Sequence, residues 1–380
     1  MSTYIDVHII QSIPPSCVNR DDTGSPKSTL YGGVKRLRVS SQAWKRAMRL
    51  YFRDQIRSHK IGIRTKRVVE KISEEITCLL PDKKDQSVKH AVEFLNLAAD
   101  NPQKNPLIKK SALQKEGFPE TDALLFFSVQ QIKELAAYVA DRVNSGKKPE
   151  KKKVKDILNS DHPIDIALFG RMLASAKNLD VDASCQVAHA ISTHYADSEF
   201  DFYTALDEGK DEKDDAGAGM MGTIEFSSAT MYRYATVNLD LLHENLGDAE
   251  ATLRALSSFI EAFVKTMPTG KQNTFANRTL PSMVVVQVRD DQPVSLVGAF
   301  EKPVPKSDTE GFVAKSVRKL VEYEAQLEEA FGVKPRRAFV VSLEDYEDYE
   351  GAESLGERVA FNELADEVRN VVESRLPASE

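Results

Sequence analysis

From residue 20 to residue 67 the chain carries fourteen Lys or Arg and only three acids, Asp21, Asp22 and Asp54, a local balance of +11 in a chain whose formal net charge is −7. A basic segment inside an otherwise acidic protein points to a polyanion partner. Its arrangement restricts the fold further. Ser40-Ser41 reads as a helix N-cap ahead of residues 42–57. Wound at about 100° per residue, Trp44, Ala47, Met48 and Tyr51 fall within about 100° of arc, a stripe suited to core packing. Gln42, Lys45, Arg46, Arg49, Arg53 and Arg57 fall on the opposite side, within about 120°. No acid interleaves with those bases, and a second basic run, Lys35-Arg36-Leu37-Arg38, lies just upstream. An ordinary solvated face is the plain alternative. The unbroken cationic face, and the free N–H groups expected behind two hydroxyls, favour nucleic acid.

A chain of 380 residues implies two or three structural units, or one domain with large insertions. At 41% hydrophobic and 29% charged residues it reads as a soluble globular protein. No apolar run approaches the roughly 20 residues of a membrane span. The start, MSTYIDVHII, lacks the cationic segment and apolar core of a secretory signal. Cys17, Cys78 and Cys185 are odd in number and far apart, which fits a reducing cytoplasm and argues against a disulfide framework or a cysteine-rich zinc site.

In chain order, Thr3 to Ile10 alternates as a first strand, with Ile5, Val7 and Ile9 on one face and Tyr4, Asp6, His8 and Ile10 on the other. Gln11 to Arg38, broken by Pro14-Pro15, Gly24, Pro26 and Gly32-Gly33, is expected to be a long functional loop. Thr65 to His162 reads as helical, clearest at Val88–Ala99 and Ser128–Val143, with Lys147–Lys155 as a solvated lysine linker. Ile164–Phe169 reads as a strand and Ser184–Tyr195 as a short helix. Ala196–Thr223 holds nine acids between Asp197 and Asp215 and reads as a protruding flexible loop, with Phe200, Phe202 and Tyr203 at its base. Strands are expected near Met231–Leu241, Met283–Val288 and Arg337–Leu343. Helices are expected at Asp248–Met267, Gly311–Phe331 and Glu357–Leu376, and an acidic turn at Asp345–Glu350.

With the insertions removed, the order is strand, helix, strand, strand, helix, strand. That is the βαββαβ arrangement of α+β ferredoxin-like folds, shared by RRM-like RNA-recognition modules. The basic-Gly-aromatic signature of those modules is absent, so RNA would be held by loops and the basic helix. No HExxH, GxSxG, Walker A or strand-borne GxGxxG motif occurs, and His189 and His194 are off the i, i+4 register of a shared metal. Asp21-Asp22 could bind Mg²⁺ or help attack a phosphodiester, or simply order a turn.

SCVNRDDTGSPKSTLYGGVKRLRVSSQAWKRAMR (Ser16–Arg49) closely resembles the signature of the backbone subunit (CasC/Cse type) of Cascade, the RNA-guided surveillance complex of type I-E CRISPR systems. The resemblance continues through DIALFGRM, AHAISTHYADSEFDFYTALDE, GTIEFSSATMYRYATVNLDLL and the KQNTF of Lys271–Phe275. These blocks are collinear over about two thirds of the chain. The resemblance implies a non-catalytic, hand-shaped subunit of antiviral defence whose copies stack along the CRISPR RNA (crRNA) as a helical filament, forming a ribonucleoprotein. It implies RNA contact by residues matching Lys27, Ser40, Gln42, Lys45 and Arg49. A methionine matching Met172 and the neighbouring copy's thumb, with aromatics at Phe202 and Tyr203, kink the RNA.

The expected palm comprises residues 1–66, 163–195 and 224–310, completed by the C-terminal helices and strand of 311–380. Residues 67–162 are the expected helical finger insertion and 196–223 the thumb loop. Beside the five residues above and Met172, the expected RNA-binding set includes Asn19, Arg20, Ser41, Arg46 and Arg53 from the basic loop and helix. Arg171, Lys271 and Gln272 complete it, and Phe200, Phe202 and Tyr203 are expected at the kink. No cofactor, metal or membrane is expected. The partners implied are crRNA, target DNA through the guide, further copies, and the other Cascade subunits: the 5′-handle-binding, large and small subunits and the guide-processing endonuclease. A metal-dependent ribonuclease acting through Asp21 or Asp22 stands as the rival reading.

Overall fold

The computed structural model describes residues 2–55, 61–114, 116–205, 220–343, 349 and 351–377. Among these the strands are β1 (Tyr4–Ser16), β2 (Ser28–Tyr31), β3 (Val34–Val39), β4 (Gly62–Thr65), β5 (Leu125–Ser128) and β6 (Cys185–Val187), then β7 (Ala190–Ser192), β8 (Glu199–Ala205), β9 (Met220–Asn238), β10 (Met283–Arg289), β11 (Arg337–Ser342) and β12 (Glu357–Arg358). The α-helices are α1 (Ser41–Gln55), α2 (Val68–Leu79), α3 (Ser87–Leu97), α4 (Val129–Ser145), α5 (Lys151–Leu158) and α6 (Ile164–Phe169), then α7 (Leu239–Leu246), α8 (Ala249–Lys265), α9 (Gln272–Phe275), α10 (Phe312–Phe331) and α11 (Phe361–Glu373). The class is α+β.

The chain divides into two compact units, one of Met1–Met48, Gln186–Asn238 and Leu256–Pro377, the other chiefly of Arg49–Cys185 and Leu239–Ala255. The first is built on a large sheet of order β12-β11-β10-β1-β9-β7-β3-β2, antiparallel except where β12 joins β11. Its centre is β1, whose Ile5 lies opposite Val288 on one side and Val237 on the other. Both faces of β1 are covered, so Asp6 and His8, on the face opposite Ile5, Val7 and Ile9, are fully buried. Asp6 pairs with Arg289 (Oδ2 to Nε, 3.1 Å) and accepts hydrogen bonds from the Tyr234 hydroxyl and the Val294 N–H. His8 Nδ1 lies 2.9 Å from the Tyr232 hydroxyl, and burial pushes its pKa down to about 3.

On α10, Glu324 shares this buried network through Gln287 and Arg289, and burial pushes its carboxyl up from 4.5 to about 7. A carboxyl raised in the folded state contributes stability that is full below its ordinary value and is lost as pH climbs through the folded one. Glu324→Gln is therefore expected to remove a descent on the order of 3 kcal/mol between pH 4.5 and 7. Denaturant unfolding of both proteins across that range checks it. A constant difference between them would contradict the account.

Several sequence expectations give way here. Gln11–Arg38 is not a long loop: β1 continues to Ser16, with Pro14-Pro15 at a register shift where the ladder needs no donor. β2 and β3 then form a hairpin whose turn residues Gly32 and Gly33 both have positive φ (59° and 76°). A Cβ on Gly32 would also strike the Glu301 carbonyl oxygen at 1.6 Å. Ile164–Phe169 is the helix α6, because a short run buried on every side carries no period to tell helix from strand. Ser184–Tyr195 holds β6 and β7 instead of a helix, and β7 pairs with both β3 and β9. The strand expected at Met231–Leu241 begins at Met220 and ends at Asn238, where α7 takes over.

The second unit is mainly helical, with Val69, Ile72, Phe94, Leu95, Leu135 and Val139 in its core and a small β4-β5 pair beside the helices. Ser128 and Gln131 close a capping box at the head of α4. Part of the lysine linker is the helix α5, which forms because Val154, Ile157 and Leu158 bury one face and leave the lysines outside. Towards the C-terminus, Glu357–Leu376 splits into the short β12 and α11. Arg57, the thumb tip and most of Asp345–Glu350 lie outside the described residues.

Candidate nucleic-acid interface

The basic helix has the two faces expected of it. Trp44, Ala47 and Met48 are buried, while Gln42, Arg46 and Arg53 are exposed and Lys45 and Arg49 half-buried. The stripe turns slightly from its expected line, since Phe52 is fully buried and Tyr51 only partly so. What holds α1 to the sheet is an unforeseen buried arginine. The Arg233 guanidinium lies 3.8 Å from the centre of the Trp44 ring and 4.6 Å from that of Phe263, and donates to Gln11 Oε1 at 2.6 Å. Burial lowers its pKa to about 9.

The helix head is closed by side chains more than expected. Ser40 Oγ accepts from the Ala43 N–H, and the Ser40 N–H donates to Asn19 Oδ1 at 2.8 Å. The Ser41 N–H donates to His189 Nδ1 at 3.3 Å. Two backbone donors expected to be open are thus used within the protein. Cationic side chains gather there instead: Arg38 Nη1 is 3.3 Å from His189 Nδ1, and Lys27 and Arg38 help burial hold the His189 pKa down. A neutral His189 with Nδ1 accepting from Ser41 carries its proton on Nε2, a further donor. In the sequence His189 was weighed only as a metal ligand, and Arg38 was not singled out as a contact. Their signal lay in the AHAISTHY block and the KRLR run, which the topology unites because β3 pairs with β7.

The loop leading to this point is ordered by Asp21. Its Oδ1 accepts from the Thr23 N–H, the Thr23 hydroxyl and the Ser25 N–H at 2.7–3.0 Å, and these bonds hold its pKa below the usual carboxylate range. The Lys27 N–H donates to the Asn19 carbonyl and the Arg38 N–H to that of Lys27, so Asn19, Lys27 and Arg38 form one linked strip, with the exposed Arg20 beside it. Gly270 presses on the start of this loop, where a Cβ would lie 2.4 Å from the Val18 carbonyl oxygen. Directly after it, Lys271 and Ala276 flank the single turn α9 with φ of 46° each. Such left-handed backbone is costly for residues with a side chain. It sets the half-buried Lys271 and exposed Gln272 on a tight bend next to the loop.

Arg36, by contrast, is no surface cation. It is fully buried and donates to the carbonyls of Tyr31, Ser192, Phe300 and Glu301. In the second unit, Arg171, expected at the RNA, is 4% exposed and gives its Nε–H to Leu179 and Nη2 to Asn159. Burial lowers its pKa to about 10. It is an anchor: its backbone bridges to Val181 on one side, and the next residue, Met172, is 86% exposed. Asp165, also of the second unit and overlooked in the sequence, is buried at the start of α6. Burial pushes it up to about 6 against the pull of Arg49 and Arg53 and the Gly62 N–H.

Where a flexible loop was expected, residues 199–205 and 220–226 form a two-stranded arm. Phe202 opposes Thr223 and Tyr203 opposes Gly222, so the two aromatics point to opposite faces. Phe200 and Phe202 share one face and are 70% and 65% exposed. Tyr203 lies over Gly222, whose missing side chain makes room for its ring.

Among the described residues no group of three His, Cys, Asp or Glu is placed to hold a metal ion, and no helix is long and apolar enough to cross a membrane. The chain is similar to one of a CRISPR RNA-guided surveillance complex, pre-nicking, at 34% identity and a TM-score of 0.84, over 97% of this chain and 99% of that one. It is similar to a chain of a second CRISPR RNA-guided surveillance complex at 28% identity and a TM-score of 0.75, with the same coverage. No curated protein matches it. A family model described as CT1975-like protein matches residues 5–367, and the chain belongs to the CT1975-like protein family.

Proposed function

We propose that this chain is a non-catalytic, guide-RNA-binding subunit of a CRISPR RNA-guided surveillance complex of the type I-E Cascade kind, at work in the cytoplasm. Its copies line up along the guide as a helical backbone, hold the RNA by its phosphates, and leave the bases to pair with target DNA. The observation that carries this reading is the gathering of Lys27, Arg38 and His189 at the head of a cationic helix. It occurs in a chain that matches surveillance-complex chains over 97% of its length. Contacts from cations and polar groups to phosphates position a nucleic acid without reading its sequence, which suits a subunit that must accept any guide.

The palm of this reading is ferredoxin-like, with β1, α1, β7, β9, α8 and β10 as its six elements. The neighbours β10-β1-β9-β7 stand in the order fourth, first, third, second, as that fold requires. β7 thereby fills the place that Ile164–Phe169 had in the sequence reading. Asp21-Asp22 has a role in the loop, because the Asp21 carboxylate is occupied in closing the turn that carries Lys27.

The test uses two RNAs of equal length and unrelated sequence, each then offered complementary RNA with Mg²⁺. Equal affinity for both, and an intact complementary strand, are expected. Cleavage that disappears in Asp22→Ala would establish the ribonuclease instead.

A further inference from the structure

The arm joins the first unit at two points that the proposed RNA grip does not use. At the start of β8, Asp197 receives Lys35 Nζ at 2.9 Å and the Tyr195 hydroxyl at 3.0 Å, while its carbonyl accepts from the Ser227 hydroxyl at 2.7 Å. The Ala196 N–H donates to the Lys35 carbonyl, so backbone and side chain of Lys35 are both engaged. On the other strand, the Phe226 ring meets that of Phe275, centres 5.8 Å apart and tilted by 45°. Lys35 sits on β3, the strand that runs into α1. Phe275 closes the strained turn that follows Gly270, itself pressed against Cys17 and Val18 at the start of the cationic loop.

We infer that Lys35, Asp197, Phe226 and Phe275 are positioning residues that clamp the arm root to both ends of the cationic strip and so set the arm's direction. Left-handed backbone at Lys271 and Ala276 persists only where the surroundings hold it, and a turn held in that way presents Phe275 at one fixed place. The Lys35–Asp197 pair is 40% and 60% exposed, so it adds little to stability. Its consequence is angular: together with the Phe226–Phe275 contact it holds the root of the arm from two sides.

This inference rests on the proposed assembly along RNA, and the test separates the two. The full chain is bound to a long single-stranded RNA of mixed sequence and hydroxyl-radical protection is mapped. The wild type is expected to give regularly spaced protection. Phe275→Ala and Lys35→Asp are each expected to bind RNA within about twofold of the wild type, yet to weaken the spacing pattern on the order of threefold to tenfold. Phe275→Leu, which keeps apolar bulk, separates removal of the ring from local unfolding, with thermal unfolding measured beside it. Lys35→Asp combined with Asp197→Lys is expected to recover the pattern, which a lysine acting on the RNA itself would not. A wild-type RNA complex without regular protection would overturn the assembly reading and this inference with it. An unchanged pattern in Phe275→Ala and Lys35→Asp, or no recovery in the charge swap, would overturn the clamp alone.

Discussion

Lys27→Ala, Lys45→Ala and Arg49→Ala combined are expected to weaken single-stranded RNA binding on the order of a thousandfold, about tenfold for each cation removed. The weakening is expected to be the same for every RNA sequence. The dependence of affinity on salt is expected to flatten by about 0.7 ion per phosphate neutralised, hence by about 2. Two controls guard the interpretation. Arg49 also offsets the buried carboxyl of Asp165, so thermal unfolding must be followed in parallel. Arg49→Lys keeps the charge and is expected to keep most of the affinity, giving up only whatever a forked guanidinium adds. Fluorescence anisotropy at several salt concentrations provides the measurement. A variant that changed which sequences are bound, with an unchanged salt slope, would mean that the helix face reads bases.

The second large effect concerns the arm. Phe200, Phe202 and Met221 lie on one face of it and are all largely exposed. Three apolar side chains kept in water on a two-stranded ribbon need a partner, either a base to stack on or a neighbouring copy. Replacing all three with serine is expected to leave the unfolding temperature almost unchanged, as surface substitutions do. Cooperative loading onto RNA is expected to vanish, with the Hill coefficient falling to about 1 and each aromatic platform taken from a base costing about 1–3 kcal/mol. Sedimentation on RNAs of increasing length distinguishes a growing assembly from independent copies. A triple variant that still loaded cooperatively would remove the arm from the assembly.

The two faces of α1 were legible in the sequence because helical periodicity is long and strong there, and only the exchange of Tyr51 for Phe52 escaped it. The helices α3, α4, α8 and α10 were legible for the same reason. Ile164–Phe169 was not, since its one polar residue, Asp165, is buried like its neighbours and a run of 6 residues is too short to show a period. The arm was missed for a different reason: Glu199-Phe200-Asp201-Phe202 does alternate, but the acids and glycines that follow led the whole segment to be read as a loop. Charge was the most misleading signal. Arg36, Arg171 and Arg233 look like surface cations in the sequence, yet each is buried, Arg36 and Arg171 in nets of acceptors and Arg233 between aromatic rings as well. Composition counts guanidinium groups but does not say whether carbonyls or phosphates receive them. Met172 went the other way. A methionine after an apolar run is ordinarily a core residue, yet Met172 is 86% exposed.

The central claim is that this chain holds a guide RNA without reading it. The most direct measurement is to express the full chain with a CRISPR array bearing many different spacers, purify it, and sequence the bound nucleic acid. The account predicts RNA drawn from the array, with all spacers represented in proportion to their transcription. Recovery of no nucleic acid, or of RNA dominated by one sequence motif whatever its source, would contradict it.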